Sequence, residues 1–396
     1  MKNKNLLPVY ALLIFSLFSC QSKNNDQATN HDADSIFVPH PQKVAKQEVK
    51  TLEIGSHAPN FKLPDTSGKF YSLSDFNRAK ALVIIFTCNH CPTAQAYEDR
   101  IIQFTTDYKT KGVDVVAIMP NSTNGLLPEE CGYTDLNDSY DEMKVRAADK
   151  KYNFPYLYDG DNQSVAIAYG PVATPHTFVF NDKQELVYVG RMDSIERPGK
   201  ANAEDLRAAV DALLAGKPIQ QPVNKAFGCS VKWEWKGEYA KKVEQEWNEK
   251  PVTLEKLDIK KIKELVSNST PKLRLINLWA TWCAPCVAEY QDLVNLQRWY
   301  GQRDFEFISL SADSPESGDK ALAFLQKKHS AVKNYIYDGD NKYKLIEAID
   351  PQWNGALPYT LLIEPNGKIV YRYQGVVDLH ELKKTIVEHP KMGRFY

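Results

Sequence analysis

The sequence predicts an α/β protein in which one fold occurs twice in tandem, each copy a mixed central β-sheet flanked by helices. Two Cys-x-x-Cys pairs, Cys88–Cys91 and Cys283–Cys286, each lie between a short apolar run and a helical pattern. An Asp-Gly-Asp-Asn sequence follows each pair, at 159–162 and 338–341. Each copy then shows two strand patterns around a turn and a closing helix. Strands that alternate with helices and end in a hairpin are typical of an α/β fold with a mixed sheet.

The elements of the two copies correspond in order. The apolar, partly β-branched runs before the cysteine pairs predict buried strands over 81–86 and 273–279. After each pair, apolar residues recur at helical spacing: Tyr97, Ile101, Phe104 and Tyr108, then Tyr290, Leu293, Leu296 and Tyr300. The further predictions are strands over 113–118 and 305–310, closing helices over 203–214 and 379–387, and a charged helix over 236–250 between the copies.

The start of the chain has the pattern of an export signal. Lys2 and Lys4 precede an apolar run over 6–18, which is too short for a membrane-spanning helix of about 20 residues. The run ends in Leu17-Phe-Ser-Cys20, which resembles the lipobox of bacterial lipoproteins. That resemblance implies lipidation at Cys20 and attachment to a membrane. An ordinary secretory signal or an N-terminal anchor helix is the alternative interpretation.

These observations predict five segments. The polar stretch after Cys20 is typical of a flexible tether. The predicted order is a signal peptide at 1–19, a tether at 20–50, a first domain at 51–233, a connector at 234–250 and a second domain at 251–396.

Composition narrows the classes of function. Lys and Arg number 49 and Asp and Glu 50, so the net charge of −1 argues against a nucleic-acid partner. The 43% hydrophobic and 25% charged content is that of soluble globular domains. Export would place the cysteines where disulfides persist. Of the seven cysteines, one is the predicted anchor, four form the two pairs and two are left over.

The pairs have the spacing of a redox dithiol. A cysteine at a helix N-terminus has its thiolate stabilised by free N–H groups and the helix dipole. A second cysteine one turn later can close a disulfide and release a bound partner. We therefore expect redox-active disulfides Cys88–Cys91 and Cys283–Cys286, with no other cofactor. A zinc ribbon would need the pairs close together, and haem attachment would need His where Pro92 and Val287 stand.

The residues around the pairs resemble the thioredoxin superfamily. Trp279–Cys286 with the downstream Leu357-Pro358 is similar to the TlpA/ResA-type thiol-disulfide oxidoreductases of the bacterial envelope. Thr87–Pro92, with Gly55–Pro59 and Thr174-Pro175, resembles peroxiredoxin-like (redoxin) proteins. The resemblance implies thioredoxin-like folds and exchange of disulfides with protein thiols.

The resemblance also implies roles for residues near the pairs. Pro175 and Pro358 would be cis, and Thr174 and Leu357 would offer backbone groups to a bound client. Glu289 would assist proton transfer at Cys283 and Cys286. The alternative is that Glu289 only stabilises the first turns of its helix. Where thioredoxins often carry a buried Asp, this sequence has Asn277.

The two centres differ inside the motif. His90 precedes the second cysteine of the first pair, and an imidazolium there would stabilise a thiolate and make the disulfide easier to reduce. Pro285 holds that position in the second pair. We expect the higher potential at the first centre, with electrons passing from the second centre to the first or from both to clients. The expected partners are protein thiols and a membrane-embedded reductant, and the expected location is the cell envelope, at the outer membrane.

The remaining cysteines and two rival functions stay open. Cys131 and Cys229 could pair with each other, resolve a disulfide at Cys88, or be structural thiols. One rival is a thiol peroxidase in the first domain, reduced by the second, although the approach to Cys88 lacks the peroxiredoxin pattern. The other is copper delivery through the first cysteine pair with His90 and His176.

Overall fold

The first half of the chain is built on a five-stranded sheet. The computed structural model describes residues 37–394, and in it the sheet has the strand order β5-β4-β3-β6-β7. Strands β3, β4 and β5 are parallel, whereas β6 and β7 are antiparallel to their neighbours. The strands are β3 (Ala81–Phe86), β4 (Val113–Met119), β5 (Tyr156–Tyr158), β6 (His176–Asn181) and β7 (Leu186–Gly190), and a separate hairpin pairs β1 (Lys62–Pro64) with β2 (Phe70–Ser72).

The central strand of this sheet is buried along its whole length. Every side chain of β3 is buried, as expected for an apolar run in a sheet covered on both faces. Register places Ala81 opposite Val113 and Phe86 opposite His176. The helices of this half are α1 (Pro92–Lys109), α2 (Tyr140–Lys150), α3 (Ser164–Tyr169) and α4 (Glu204–Leu214).

The second half repeats the plan with one strand more. Its six-stranded sheet has the order β13-β12-β9-β10-β11-β8, with β9 and β10 parallel at the centre and β12 antiparallel to β9. The strands are β8 (Glu255–Leu257), β9 (Leu273–Trp279), β10 (Phe305–Ser311), β11 (Lys333–Tyr337), β12 (Tyr359–Ile363) and β13 (Ile369–Gln374). The helices are α6 (Ile259–Ser267), α7 (Ala284–Tyr300), α8 (Gly318–Lys327), α9 (Lys342–Ile349) and α10 (Leu379–Glu388), and α5 (Gly237–Asn248) joins the halves.

The predicted fold class is confirmed: both halves are mixed sheets flanked by helices. The strands predicted over 81–86 and 273–279 have those bounds, and those predicted over 113–118 and 305–310 each run one residue further. These segments were predictable because strands that are buried on both faces are largely apolar runs.

The two halves pack against each other through buried polar contacts. The described residues 38–394 lie in one compact unit. The hydroxyl of Tyr300, at the end of α7, donates to the carbonyl of Thr134 at 2.8 Å. Arg303 donates to the carbonyl of Gly132 at 2.8 Å. The loop before α2 therefore contributes directly to the contact with the second half.

The end of the segment predicted as a tether contacts residues further along the chain. The backbone N–H of His40 donates to Asp161 at 2.9 Å, and that of Val44 donates to Glu234 at 2.8 Å. The flexible tether expected over 20–50 stays a prediction. The predicted signal and Cys20 lie outside the described residues. Between residues 37 and 394, no helix is long and apolar enough to cross a membrane.

Candidate functional site

The first cysteine pair lies where β3 meets α1. Cys88 is 3% exposed and Cys91 is fully buried. Helix α1 begins at Pro92, so its N-cap residue is Cys91. The expectation that Cys88 occupies the helix N-terminus is wrong for this pair, because residues 88–90 form a loop ahead of the helix.

Asp138 explains why this loop does not continue the helix. Its Oδ1 accepts the backbone N–H groups of Asn89 and His90, at 2.8 and 3.0 Å. Its Oδ2 lies 2.5 Å from Nδ1 of His90 and accepts from the amide of Asn121 at 2.7 Å. One buried carboxylate therefore holds two backbone donors and an imidazole of the first motif.

The charges around the pair favour a thiolate at Cys91 over one at Cys88. Burial and a hydrogen bond with Cys91 raise the pKa of Cys88, and the Asp138 carboxylate adds to this. Burial also raises the pKa of Cys91, but hydrogen bonds from Cys229 and Cys88 and the charge of His90 outweigh it. The carbonyl of Thr174, 3.2 Å from Cys91 Sγ, is a single opposing contact that favours the protonated thiol.

Asp138 favours the charged form of the His90 imidazole. Burial lowers the pKa of His90, but the charge of Asp138 and its hydrogen bond raise it by more. Cys88, His90 and Asp138 bring potential ligand atoms within 4.8 Å of one another. Nδ1 of His90, however, is already hydrogen-bonded to the Asp138 carboxylate. We therefore describe these three residues as a His90–Asp138 ion pair beside the Cys88 thiol and not as a metal site.

His176 does not join the pair as the copper alternative expected. Its Nδ1 accepts the backbone N–H of Val172 at 3.2 Å, and its ring packs against Phe178. Burial lowers the pKa of His176 to about 4, so the ring is neutral near neutral pH. His176 is therefore a buried core side chain. Of the two histidines that the copper alternative needs, only His90 lies beside the cysteine pair.

Thr174 and the chain after the first sheet close over the first pair. The Thr174–Pro175 peptide bond is cis, as the resemblance implies. The Thr174 hydroxyl lies 3.1 Å from Cys88 Sγ. Cys229 forms an isolated antiparallel bridge with Thr174, and its backbone N–H donates to Cys91 Sγ at 3.3 Å. Cys229 is therefore a third thiol of this centre.

The two leftover cysteines have different surroundings. Cys131 lies in a short 3-10 helix, Pro128–Cys131, and is buried in the apolar core of the second half. Cys131 and Cys229 are both free thiols. The structure therefore contains no Cys131–Cys229 bond, and it brings only Cys229 to a redox pair.

The second pair is a disulfide at the start of α7. Cys283 and Cys286 are bonded, and Cys283 is the N-cap residue, its Sγ accepting the N–H of Cys286 at 3.4 Å. This is the predicted arrangement, with the first cysteine at the helix N-terminus. The Leu357–Pro358 peptide bond is cis.

Glu289 is a buried carboxylate beneath the second pair. Its Oε2 accepts the backbone N–H of Val377 at 2.9 Å, and its Oε1 accepts from the Asn277 amide at 3.3 Å. Burial raises the pKa of Glu289. The Oδ1 atom of Asn277 is buried with no hydrogen-bond partner among the described residues. A buried carboxyl one helical turn from Cys286 is a candidate for exchanging protons with that thiol.

An open cavity of about 1030 Å³ lies beside the second pair. Trp282, which precedes Cys283, lines it and is 62% exposed, and Tyr343 opposite is 81% exposed. Leu357, before the cis proline, also lines this cavity. Trp282, Tyr343 and Leu357 thus give this cavity aromatic and apolar walls, next to Cys283 and Pro358 in the chain.

Asp138 is a residue that the sequence did not connect to the first pair, and Cys229 is one that it connected only as one of several alternatives, a resolving thiol for Cys88. Asp138 precedes Ser139, the N-cap of α2, and nothing in its local sequence distinguishes it from an ordinary helix-start acid. Cys229 was visible as a cysteine, but its contact with Cys91 spans 138 residues. Neither pairing has a periodic or spacing signal.

The sheets, the cysteine pairs and the cis prolines together define a thioredoxin-like fold present twice. The chain belongs to the Redoxin family, whose model matches residues 53–206 and 244–386.

Curated relatives match a smaller part of the chain. Thiol-disulfide oxidoreductase ResA of Oceanobacillus iheyensis is 29% identical over 140 residues, which is 32% of this chain and 65% of that protein. Thiol:disulfide interchange protein DsbE of Allochromatium vinosum is 31% identical over 107 residues, 27% of this chain and 54% of that protein. The chain therefore spans between half and two thirds of the length of these relatives. A hypothetical protein from Sinorhizobium meliloti 1021 aligns in structure with a TM-score of 0.41 and 35% identity, over 48% of this chain and 98% of its own.

Proposed function

We propose that this protein is a thiol-disulfide oxidoreductase that exchanges disulfides with protein thiols through its two Cys-x-x-Cys centres. The observation that carries the proposal is the Cys283–Cys286 disulfide at a helix N-terminus, with a cis proline downstream and an exposed aromatic cavity beside it. The names of the ResA and DsbE relatives support the same activity.

Each cycle begins when a cysteine thiolate attacks a client disulfide. A mixed disulfide forms, and one client sulfur leaves as a thiolate. The partner cysteine then attacks the mixed disulfide, which releases the client dithiol and leaves the disulfide in this protein. At the second centre, Glu289 is positioned to take the proton from the buried Cys286 thiol as it attacks.

We further propose that the protein acts in the cell envelope, anchored by a lipid at Cys20 and reduced by a membrane-embedded partner. The lipobox-like sequence carries this part of the proposal. Metabolic labelling with a radioactive fatty acid tests it. Label in the wild type and none in Cys20→Ser is the expected result, and equal label in both contradicts it.

Trapping of mixed disulfides tests the exchange activity. In Cys286→Ser the attacking thiol Cys283 remains but release is slowed, so disulfide-linked clients accumulate. Cys283→Ser is the matched control, which removes the attacking thiol. At the first centre, Cys88→Ser and Cys91→Ser are compared directly, because Cys91 holds the helix N-terminus there. Absence of linked clients in every variant contradicts the proposal.

The direction of electron flow between the centres is a second measurable part of the proposal. Burial lowers the pKa of His90 but Asp138 raises it by more, and a positive charge on this ring would favour the reduced form of the first pair. We expect the Cys88/Cys91 couple to have a higher potential than the Cys283/Cys286 couple. Redox titration of the full chain, with one pair replaced by serine at a time, measures both. A lower potential at the first centre contradicts this direction.

A further inference from the structure

Cys229 is a third cysteine that contacts the first pair. Its backbone N–H donates to Cys91 Sγ at 3.3 Å, and the two side chains also interact by hydrogen bonding. Cys91 thus lies between two thiols, Cys88 and Cys229.

The chain on both sides of Cys229 is held in place. The N–H of Thr174 donates to the carbonyl of Cys229 at 2.9 Å. Gly228 has a φ of +136°, and a Cβ on it would lie 2.0 Å from the Thr174 carbonyl oxygen. Downstream, the carbonyl of Lys232 accepts the N–H of Ser122 at 2.8 Å. The contact with Cys91 is therefore built into the backbone.

Solvent reaches Cys229 more easily than it reaches the pair. Cys88 and Cys91 are 3% and 0% exposed, whereas Cys229 is only partly buried. A thiol reagent that meets this face of the first half contacts Cys229 before either cysteine of the motif.

We propose that Cys229 is a third redox residue of the first centre, which takes over the disulfide from Cys88 and presents it to an external dithiol reductant. The inference rests on the proposed exchange activity and names the route by which the first centre is regenerated.

The transfer balances without an added oxidant. Cys229 loses its proton to solvent and its thiolate attacks Sγ of Cys91 in the Cys88–Cys91 disulfide. The Cys91–Cys229 bond forms, the Cys88–Cys91 bond breaks, and Cys88 leaves as a thiolate that takes up a proton. A dithiol reductant then attacks Cys229 Sγ and its second thiol completes the reduction. The reductant donates two electrons, and Cys91 and Cys229 both end as thiols.

The charges around Cys229 favour its thiolate more in the oxidised centre than in the reduced one. In the reduced centre, the hydrogen bond with Cys91 raises the pKa of Cys229, and burial adds to this. Once Cys91 is in a disulfide, its thiolate is gone and so is this cause. Lys232, whose charge lowers the pKa of Cys229, remains. Cys229 thus becomes more acidic when the centre is oxidised.

Disulfide mapping tests the bond. The full-length Cys88→Ser protein is incubated with oxidised glutathione, quenched with acid and digested with trypsin. Glutathione attached to Cys91 should be displaced by Cys229, which joins the peptides 81–100 and 226–232. Cys88→Ser/Cys229→Ser should instead keep glutathione on Cys91. Cys88→Ser/Cys131→Ser is the matched control and should form the link as Cys88→Ser does. Absence of the link in Cys88→Ser overturns the proposal.

Kinetics test the relay. We expect Cys229→Ser, and separately Cys229→Ala, to slow reduction of the oxidised first centre by dithiothreitol by roughly an order of magnitude. Cys131→Ser should leave the rate unchanged. A link without a change in rate overturns the relay, because the bond would lie off the reaction route. If neither centre exchanges with a client disulfide, the proposed function fails, whereas the link in Cys88→Ser is scored independently of any client.

Discussion

The carboxylate of Asp138 lies 2.5 Å from the ring Nδ1 of His90, and both side chains are buried. The carboxylate accepts three further N–H donors, whereas Nε2 of His90 has no hydrogen-bond partner among the described residues. The Asp138 carboxylate therefore fixes the loop between Cys88 and Cys91, and its charge favours a positive charge on the ring beside them.

The ion pair predicts a pH dependence of stability. Burial alone would lower the pKa of His90, but Asp138 raises it above its unfolded value of about 6.5. A raised folded pKa stabilises the fold fully below that unfolded value, and the contribution is lost as pH rises through the folded pKa. We expect Asp138→Asn to reverse the slope, because burial then dominates. Urea unfolding across this pH range and NMR titration of the His90 ring measure the effect. An unchanged His90 pKa in Asp138→Asn contradicts it.

The position of the thiolate in the first pair is a second prediction. We expect the ultraviolet thiolate absorbance of the reduced pair, near neutral pH, to disappear in Cys91→Ser and to persist in Cys88→Ser. The reason is that Cys91 has the helix N-terminus and the Cys229 N–H, whereas Cys88 faces Asp138. Both variants are measured with Cys283 and Cys286 replaced by alanine. Loss of the signal in Cys88→Ser alone would reverse the assignment.

Glu289 should control proton transfer at the second pair. In a protein with Cys88 and Cys91 replaced by serine, we expect Glu289→Gln to slow disulfide exchange roughly a hundredfold and to remove one limb of its pH profile. Asp319→Asn, at an exposed acid of α8 that is not among the groups acting on Glu289, is the control. If Glu289→Gln slows exchange but the pH profile is unchanged, the role of Glu289 is structural and the prediction is contradicted.

Glu289 also predicts a stability change of definite sign. Its folded pKa is raised by burial, so the protonated form is favoured, and stability falls as pH rises from the unfolded pKa through the folded one. Glu289→Gln should remove this decline and be the more stable protein above that range. Denaturant unfolding at acidic and alkaline pH measures it. A wild type that gains stability over the same range, relative to Glu289→Gln, contradicts the prediction.

The contact between the halves can be tested with one hydroxyl. Tyr300→Phe removes the donor to the buried Thr134 carbonyl and should lower the free energy of unfolding by about 1–2 kcal/mol. Tyr239→Phe, at a side chain that is 60% exposed, is the control and should change little. Equal effects of the two substitutions would show that this interface bond contributes nothing measurable.

Gly228 should be required for the contact of Cys229 with the first pair. Gly228→Ala puts a Cβ 2.0 Å from the Thr174 carbonyl oxygen and should cost about 3 kcal/mol or more. Gly216→Ala is the matched control, because Gly216 has a positive φ of +61° and open space around it. Its cost should be about 1–2 kcal/mol. Equal costs in chemical denaturation would rule out the close approach.

Local sequence was sufficient for the architecture. The buried strands β3 and β9 were predictable to the residue because a short, largely apolar run is typical of a strand covered on both faces, although β9 also buries Arg274 and Asn277. The cysteine pairs were equally visible, since a dithiol works only at a short fixed spacing. The duplication followed from the order of such short-range signals. The cis prolines came from the family resemblance and not from the residues alone.

The tertiary structure decided which groups act on the first pair. Asp138 and Cys229 reach it from 48 and 138 residues away. Such approaches depend on how the sheet and its loops pack, and no local period or spacing encodes them. The sequence therefore determined that this protein carries two Cys-x-x-Cys pairs. Packing decided that the first pair contacts Cys229 and lies beside the buried His90 and Asp138, because only folding brings distant charges and sulfur atoms into contact.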